Sequence, residues 1–241
     1  PSSITADEAR MRLMQVMGAL AADAGMPGAL VPAAAVLSCV VPALERPWKA
    51  ALSRTCTGRV LTVGPGLKTG MPVHYDDPAE IGPDRIADAV AARAVYGSPC
   101  IVIDLGTTTN IEVIDAHGTF VGGVIAPGLA LGARSLSAAA ARLPQVEPSA
   151  PTHVIGRNTR EAMRSGVVLG EVARIDGMLD MVLAEMRATK AAGEGDVPIV
   201  ITGDDAEALA ALVGHSLTVD DALTLRGLAE LYRINQKPRR A

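Results

Sequence analysis

The run Cys100-Ile101-Val102-Ile103-Asp104-Leu105-Gly106-Thr107-Thr108-Thr109 decides how the rest of the chain is read. Cys100 to Ile103 are apolar in succession, the composition of a strand buried on both faces. That strand ends in a carboxylate, a glycine and three hydroxyls, and a second apolar stretch follows at once. An aspartate at a strand end can hold a cation or orient a water. Gly106 lets a phosphate approach the backbone, and the N–H and hydroxyl of Thr107 can bind its oxygens. A plain hairpin closed by an Asx or threonine turn accounts for the same residues.

Working outward, Asn110–Ile114 and Thr119–Ile125 flank Ala116-His117-Gly118 and read as a hairpin. On the other side, Ile81–Tyr96 reads as a helix with Pro83 in its first turn, where a missing N–H costs nothing. Further upstream, Thr5 and Glu8 form a capping box for a helix to Ala24. Its Met11, Leu13, Met14, Met17, Leu20 and Ala21 recur at the spacing of a core-facing stripe. Strand Ala33–Val41, helix Pro42–Thr55 and strand Arg59–Val63 follow, then the glycine loop Gly64–Gly70, a short strand Pro72–Tyr75 and a turn at Asp76-Asp77-Pro78. Downstream come helix Ala130–Arg142, a polar connector Gln145–His153 and a helical stretch Thr159–Thr189 with candidate breaks at Gly166 and Gly170. Strand Val197–Ile201, helices Ala206–Val213 and Thr224–Asn235, and a frayed tail Lys237–Ala241 complete the chain. Hairpins mixed with βα units indicate an α/β fold with mixed sheets, not a purely parallel one.

The 241 residues, 49% hydrophobic and 20% charged, suffice for one large or two small domains. Three cysteines without a CxxC pair argue against a disulfide scaffold or a structural zinc. A net charge of −4 gives no electrostatic footprint for nucleic acid. The apolar runs are interrupted by prolines and too short to span a bilayer, and no charged n-region precedes an apolar h-region. His74, His117, His153 and His215 are scattered, which disfavours a metal-dependent hydrolase.

Beyond the 100–109 run, Gly82-Pro83-Asp84-Arg85 is the most chemical segment. A carboxylate in a helix first turn is stabilised by the positive end of the macrodipole and can accept a proton from a hydroxyl. Arg85 can grip a carboxylate or phosphate with two parallel bonds, although an acidic first turn with a surface arginine fits equally. Gly122-Gly123 with Pro127-Gly128 permits close packing or ligand approach. Gly156-Arg157-Asn158-Thr159 opens the long helix, with Thr159 as its candidate N-cap. Thr202-Gly203-Asp204 ends a strand, as a nucleotide edge or a capped turn would.

Together these segments resemble the type III pantothenate kinases. The resemblance runs through Val63-Gly64-Pro65-Gly66-Leu67-Lys68-Thr69-Gly70, Tyr75-Asp76-Asp77-Pro78, Gly82-Pro83-Asp84-Arg85, Asp104-Leu105-Gly106-Thr107, Gly122-Gly123, Leu143-Pro144 and Gly156-Arg157-Asn158-Thr159, in family order. Ser38-Cys39-Val40-Val41-Pro42 is similar to the family's serine-valine-valine-proline strand end. The resemblance implies an actin-like ATPase fold (ribonuclease H-like duplicated subdomains, mixed sheets with flanking helices), divided here into 1–95 and 96–241. It implies ATP-dependent phosphorylation of pantothenate, the first step of coenzyme A synthesis, by a cytoplasmic homodimer with no nucleic-acid or membrane partner. Carried over, Asp84 is the catalytic base; Gly82, Pro83 and Arg85 complete a substrate-contacting motif; Tyr75 and Thr159 contact pantothenate. Gly106 and Thr107 meet the ATP phosphates, and Asp104 binds a monovalent cation, K+ or NH4+, with Mg2+ also required.

This chain departs from the family pattern in several places. A threonine and an aspartate of the family stand here as Asn110 and Glu112, and the glycine pair after Thr202 is Gly203-Asp204, whose carboxylate would repel ATP. The family opens with a strand and an aspartate-x-glycine-asparagine-threonine loop, so the expectation is that this first strand lies outside the chain. A second reading therefore stands beside the kinase: a catalytically weakened binding or regulatory protein on the same fold.

Overall fold

The computed structural model describes residues 3–26, 28 and 30–236. The tail Lys237–Ala241 lies outside them. The elements in order are α1 (Ala6–Asp23), β1 (Ala35–Leu37), α2 (Pro42–Thr55), β2 (Val60–Thr62), α3 (Pro83–Tyr96), β3 (Cys100–Leu105), β4 (Thr108–Ile114) and β5 (Phe120–Pro127). They continue with α4 (Leu129–Ala139), α5 (Thr159–Arg164), α6 (Gly170–Ala188), β6 (Ile199–Gly203), α7 (Ala206–Ala210), β7 (Thr218–Val219) and α8 (Leu223–Ile234). The fold is α/β with mixed sheets and flanking helices.

Five strands form one sheet in the order β5-β4-β3-β6-β7. The β5-β4-β3 part is antiparallel, and β6 and β7 add in parallel. β3 is the central strand, bonded on one side to β4 (Ile103 opposite Ile111) and on the other to β6 (Ile103 opposite Ile201). Alternate residues of β3 feed two separate cores. Ile101, Ile103 and Leu105 join α4, α6 and α7 on one face; Cys100 and Val102 join α3 and α8 on the other. Both faces are covered, which is why the strand reads as an unbroken apolar run.

The second sheet has two parallel strands, β1 and β2, connected through α2. α8 packs closely on α3: a Cβ on Gly227 would fall 1.9 Å from the Ala87 carbonyl oxygen, so only glycine fits at this crossing.

Three expectations need correction. The apolar stripe of α1 does not face a core: Ala9 and Ala21 are buried, while Met11, Met14 and Leu20 are exposed. α2 is the helix against which α1 packs most extensively. The capping box itself is present, with the Glu8 carboxylate accepting from the Thr5 N–H at 2.8 Å. Pro72–Tyr75 is no strand but one bridge, Val73 to Phe120, because Pro72 lacks an N–H and Gly70 turns the chain at φ +67°. The 159–189 stretch does not break but widens: Ser165–Leu169, with Gly166 inside it and Gly170 directly after, forms a π turn between α5 and α6.

Candidate functional site

The ends of β3 and β6 and the start of α3 bring the chemical residues together. Asp104 lies opposite Asn110 on β4 and Thr202 on β6. Beyond it the chain turns tightly, the Gly106 N–H donating to the Thr108 carbonyl at 3.0 Å. Two glycines seat this turn. The Gly128 N–H donates to the Thr107 carbonyl at 3.0 Å, and a Cβ on Gly128 would meet the Gly106 oxygen at 2.3 Å. Gly203, at φ +102°, lies so close to Leu105 that a Cβ would meet its oxygen at 2.1 Å. The exposed Gly106 and Thr107 are thus held by backbone contacts, and among the described residues no hydrogen bond uses the Thr107 N–H or hydroxyl.

Helix α3 delivers the second half of the site. Gly82 precedes it and leaves room for the Asp84 carboxylate, which accepts the Arg85 N–H at 2.9 Å. Arg85 is not a surface arginine. It is 5% exposed, its Nε donates to Glu112 Oε1 at 2.8 Å, and its Cζ lies 5.7 Å from the centre of the Phe120 ring. Tyr75 packs on the same ring at 6.1 Å and is half-buried. Burial opposes the Arg85 charge, but Glu112 and Tyr75 more than offset it, so its pKa is raised.

Four carboxylates, Asp84, Asp88, Asp104 and Glu112, lie near enough to feel one another's charge, and Glu112 is the one that pairs with Arg85. Burial pushes Asp104 up to about 6, with the negative charge of Asp84 adding to the rise, Asn110 opposing it, and Asp204 adding further. Burial pushes Asp88 up to about 7, Thr224 opposing, with Asp104 and Asp84 adding. Burial drives Glu112 upward as well, and Arg85 draws it back. The pair is ionised on physical grounds, since a neutral Glu112 would leave the arginine charge buried alone.

Thr159 stands apart from this cluster. It is exposed at the first position of α5, and no hydrogen bond among the described residues joins it to Asp84 or Arg85. Nor is it the N-cap: Asn158 caps α5, its Oδ1 accepting from the Glu161 N–H at 3.0 Å. Asp88 was not singled out from the sequence, although a carboxylate one turn after Asp84 within an alanine-rich, core-facing helix was a usable signal.

Beside the β6 end lies an open cavity of about 700 Å3 whose lining includes Thr202, Gly203 and Thr224. Its charged lining is entirely acidic: Asp204, Asp205, Glu207 and Asp221. Such a surface accepts phosphate only with cations between.

The family model described as type III pantothenate kinase matches residues 2–181. This chain belongs to the type III pantothenate kinase family. It is 42% identical over 201 residues to a type III pantothenate kinase of Koribacter versatilis, covering 83% of this chain and 71% of that protein. It is 40% identical over 246 residues to one of Nocardia farcinica, covering 98% and 86%. Among solved structures, one from Campylobacter jejuni, described as a Baf family transcriptional activator, superposes with a TM-score of 0.54 at 23% identity over 81% of this chain and 80% of that one. That likeness is one of fold.

Membership of a kinase family carries use of ATP and a divalent metal, and the donor set agrees in kind. Every candidate ligand at the β3 and β6 ends is an oxygen, the preference of magnesium. Among the described residues no three carboxylate, histidine or cysteine groups converge on a metal position. Asp204, just past the β6 end, suits magnesium shared with nucleotide phosphates, the usual mode for that ion. No described helix is long and apolar enough to cross a membrane.

Proposed function

We propose that this chain transfers the γ-phosphoryl group of ATP to the terminal hydroxyl of pantothenate, and that Asp84 is its base. The observation that carries the reading is the meeting of α3 and β3. The two elements pack together, and Asp104, near the end of β3, feels the charge of Asp84, in the first turn of α3. A proton acceptor and a phosphate turn therefore share one site.

Phosphoryl transfer asks mainly for positioning and charge neutralisation. Arg85 receives the substrate carboxylate, with Tyr75 beside it and Gly82-Pro83 shaping the entry. Thr159 contacts pantothenate from α5. Thr107 holds the transferred phosphate through its N–H and hydroxyl, and Gly106 lets that phosphate approach the backbone. As the substrate oxygen bonds to phosphorus and the bond to the leaving diphosphate breaks, the hydroxyl proton passes to an Asp84 oxygen. Magnesium, when bound with ATP, neutralises phosphate charge. Asp104 holds a monovalent cation, K+ or NH4+, for the same purpose. The same reading makes the protein a cytoplasmic homodimer of two subdomains, 1–95 and 96–241.

The alternative, a weakened binding protein, is not favoured. The acidic cavity lining suits cation-bridged phosphate, and the substrate-side motif and the phosphate turn are both present. The test is a coupled assay with Mg-ATP and pantothenate. Asp84→Asn lowers kcat by roughly 10²–10⁴-fold while calorimetry still detects pantothenate. Undiminished turnover overturns the assignment of the base. Equal rates in sodium-only and potassium buffers overturn that of Asp104.

A further inference from the structure

The inner side of the site holds polar groups whose capacity is not used up. Arg85 Nη2 and Glu112 Oε2 are buried and have no hydrogen-bond partner, although Nε and Oε1 of the same two residues meet at 2.8 Å. Glu112 is fully buried in the middle of β4, where a carboxylate survives only with a compensating partner. Arg85 is that partner.

The arginine fork is fixed on three sides. Glu112 takes Nε. The Phe120 ring covers the guanidinium. At Gly123 a Cβ would come within 2.9 Å of Nη2, and within 1.9 Å of the Ile111 carbonyl oxygen. Nη2 is therefore sealed against β5, which leaves Nη1, on a guanidinium that the Tyr75 side chain also reaches, to meet a ligand. The arginine rides on α3, but its direction is set by the sheet. A single charged N–H from Nη1 meets a carboxylate only if the guanidinium plane is correctly turned.

We propose that Glu112 is a positioning residue that, with Phe120 and Gly123, aims Arg85 at the carboxylate of the acid substrate. Glu112 sets affinity for that end of the substrate without touching it. This rests on the reading above that Arg85 receives the substrate carboxylate.

The experiment compares two substrates: pantothenate, and its uncharged analogue in which a primary alcohol replaces the carboxylate. Glu112→Gln keeps the shape and removes the charge. The expected result is a KM for the acid raised about 10- to 100-fold, by analogy with other residues that orient a binding group from behind. The KM for the alcohol and kcat for both stay within about twofold, since only uniform binding is lost. Glu112→Asp recovers part of the affinity for the acid. The double variant Arg85→Gln/Glu112→Gln, which leaves no charge stranded, matches Arg85→Gln alone because the two residues act as one unit.

An equal rise for acid and alcohol means that Glu112 is only structural and overturns the proposal. An unchanged KM in Glu112→Gln beside a raised KM in Arg85→Gln does the same while leaving the functional reading intact. An Arg85→Gln enzyme with unchanged KM for the acid removes Arg85 from the substrate and takes both down. Should Glu112→Gln fail to fold, the double variant decides: a KM for the acid clearly above that of Arg85→Gln alone overturns the proposal.

Discussion

The two sheets of this molecule contain the same unit, a pair of parallel strands, in very different surroundings. In the larger sheet β3 and β6 run side by side, and every residue of β3 except Asp104 is buried. In the smaller, among the described residues β1 and β2 pair only with each other, and no residue of β1 is fully buried. Ala35-Val36-Leu37 is as apolar as Ile101-Val102-Ile103. What differs is the number of neighbours: β3 has a strand on both edges and helices on both faces. Burial belongs to the assembly, and a strand's composition only permits it. The difference also explains where the chemistry sits, because Asp104 and the phosphate turn need a backbone that does not move, and β3 provides it.

Removing side chains from the two central positions gives the widest expected separation. Ile103→Ala leaves a cavity between sheet and helices and costs about 3–5 kcal/mol. Val36→Ala, half-buried beside a single partner strand, costs about 1 kcal/mol or less. Chemical denaturation of the two variants measures the gap; equal losses would mean that the small sheet is as constrained as the large one.

The next effect concerns charge. The raised Asp88 carboxyl retains its proton more tightly in the folded chain, at about 7, than the ordinary 3.8. Below pH 4 both states are protonated. Between about pH 4 and 7 the unfolded chain releases this proton while the buried carboxyl keeps it, so stability falls across that window and levels off above 7, where both states are ionised. Asp88→Asn removes this penalty. It raises stability by about 2–4 kcal/mol at pH 8 and by nearly nothing at pH 4. Thermal melts across that range check it, and a gain independent of pH would refute the assignment to this carboxyl. No comparable group lies on β1 or β2.

The smallest effect is expected on α1. Met11→Gln and Met14→Gln replace side chains 67% and 51% exposed, so each changes stability by less than about 0.5 kcal/mol. A loss of 2 kcal/mol or more in the denaturation midpoint would show that this stripe is covered in solution.

Much of the site was legible because its chemistry is local. Asp104-Leu105-Gly106-Thr107 and Gly82-Pro83-Asp84-Arg85 carry their meaning in adjacent residues, since a strand end, a glycine turn and a helix first turn are each short-range geometries. Helix Pro42–Thr55 kept its bounds for the same reason, with proline at its first position. The Arg85–Glu112 pair was not legible, because its partners are 27 residues apart and meet only when α3 lies across β4. In the sequence Glu112 is a departure from a family motif; in the fold it is the partner of Arg85.

The sequence by itself determined the strand-and-helix alphabet, the capping of α1 and the residues able to do phosphoryl chemistry, because backbone sterics and hydrogen-bond capacity act over a few residues. Only the tertiary structure decided which apolar faces are buried, which of the carboxylates are protonated more readily than usual, and which way Arg85 points. Those properties depend on desolvation and on long-range contacts, and a periodic stripe such as that of α1 cannot say whether anything will pack against it.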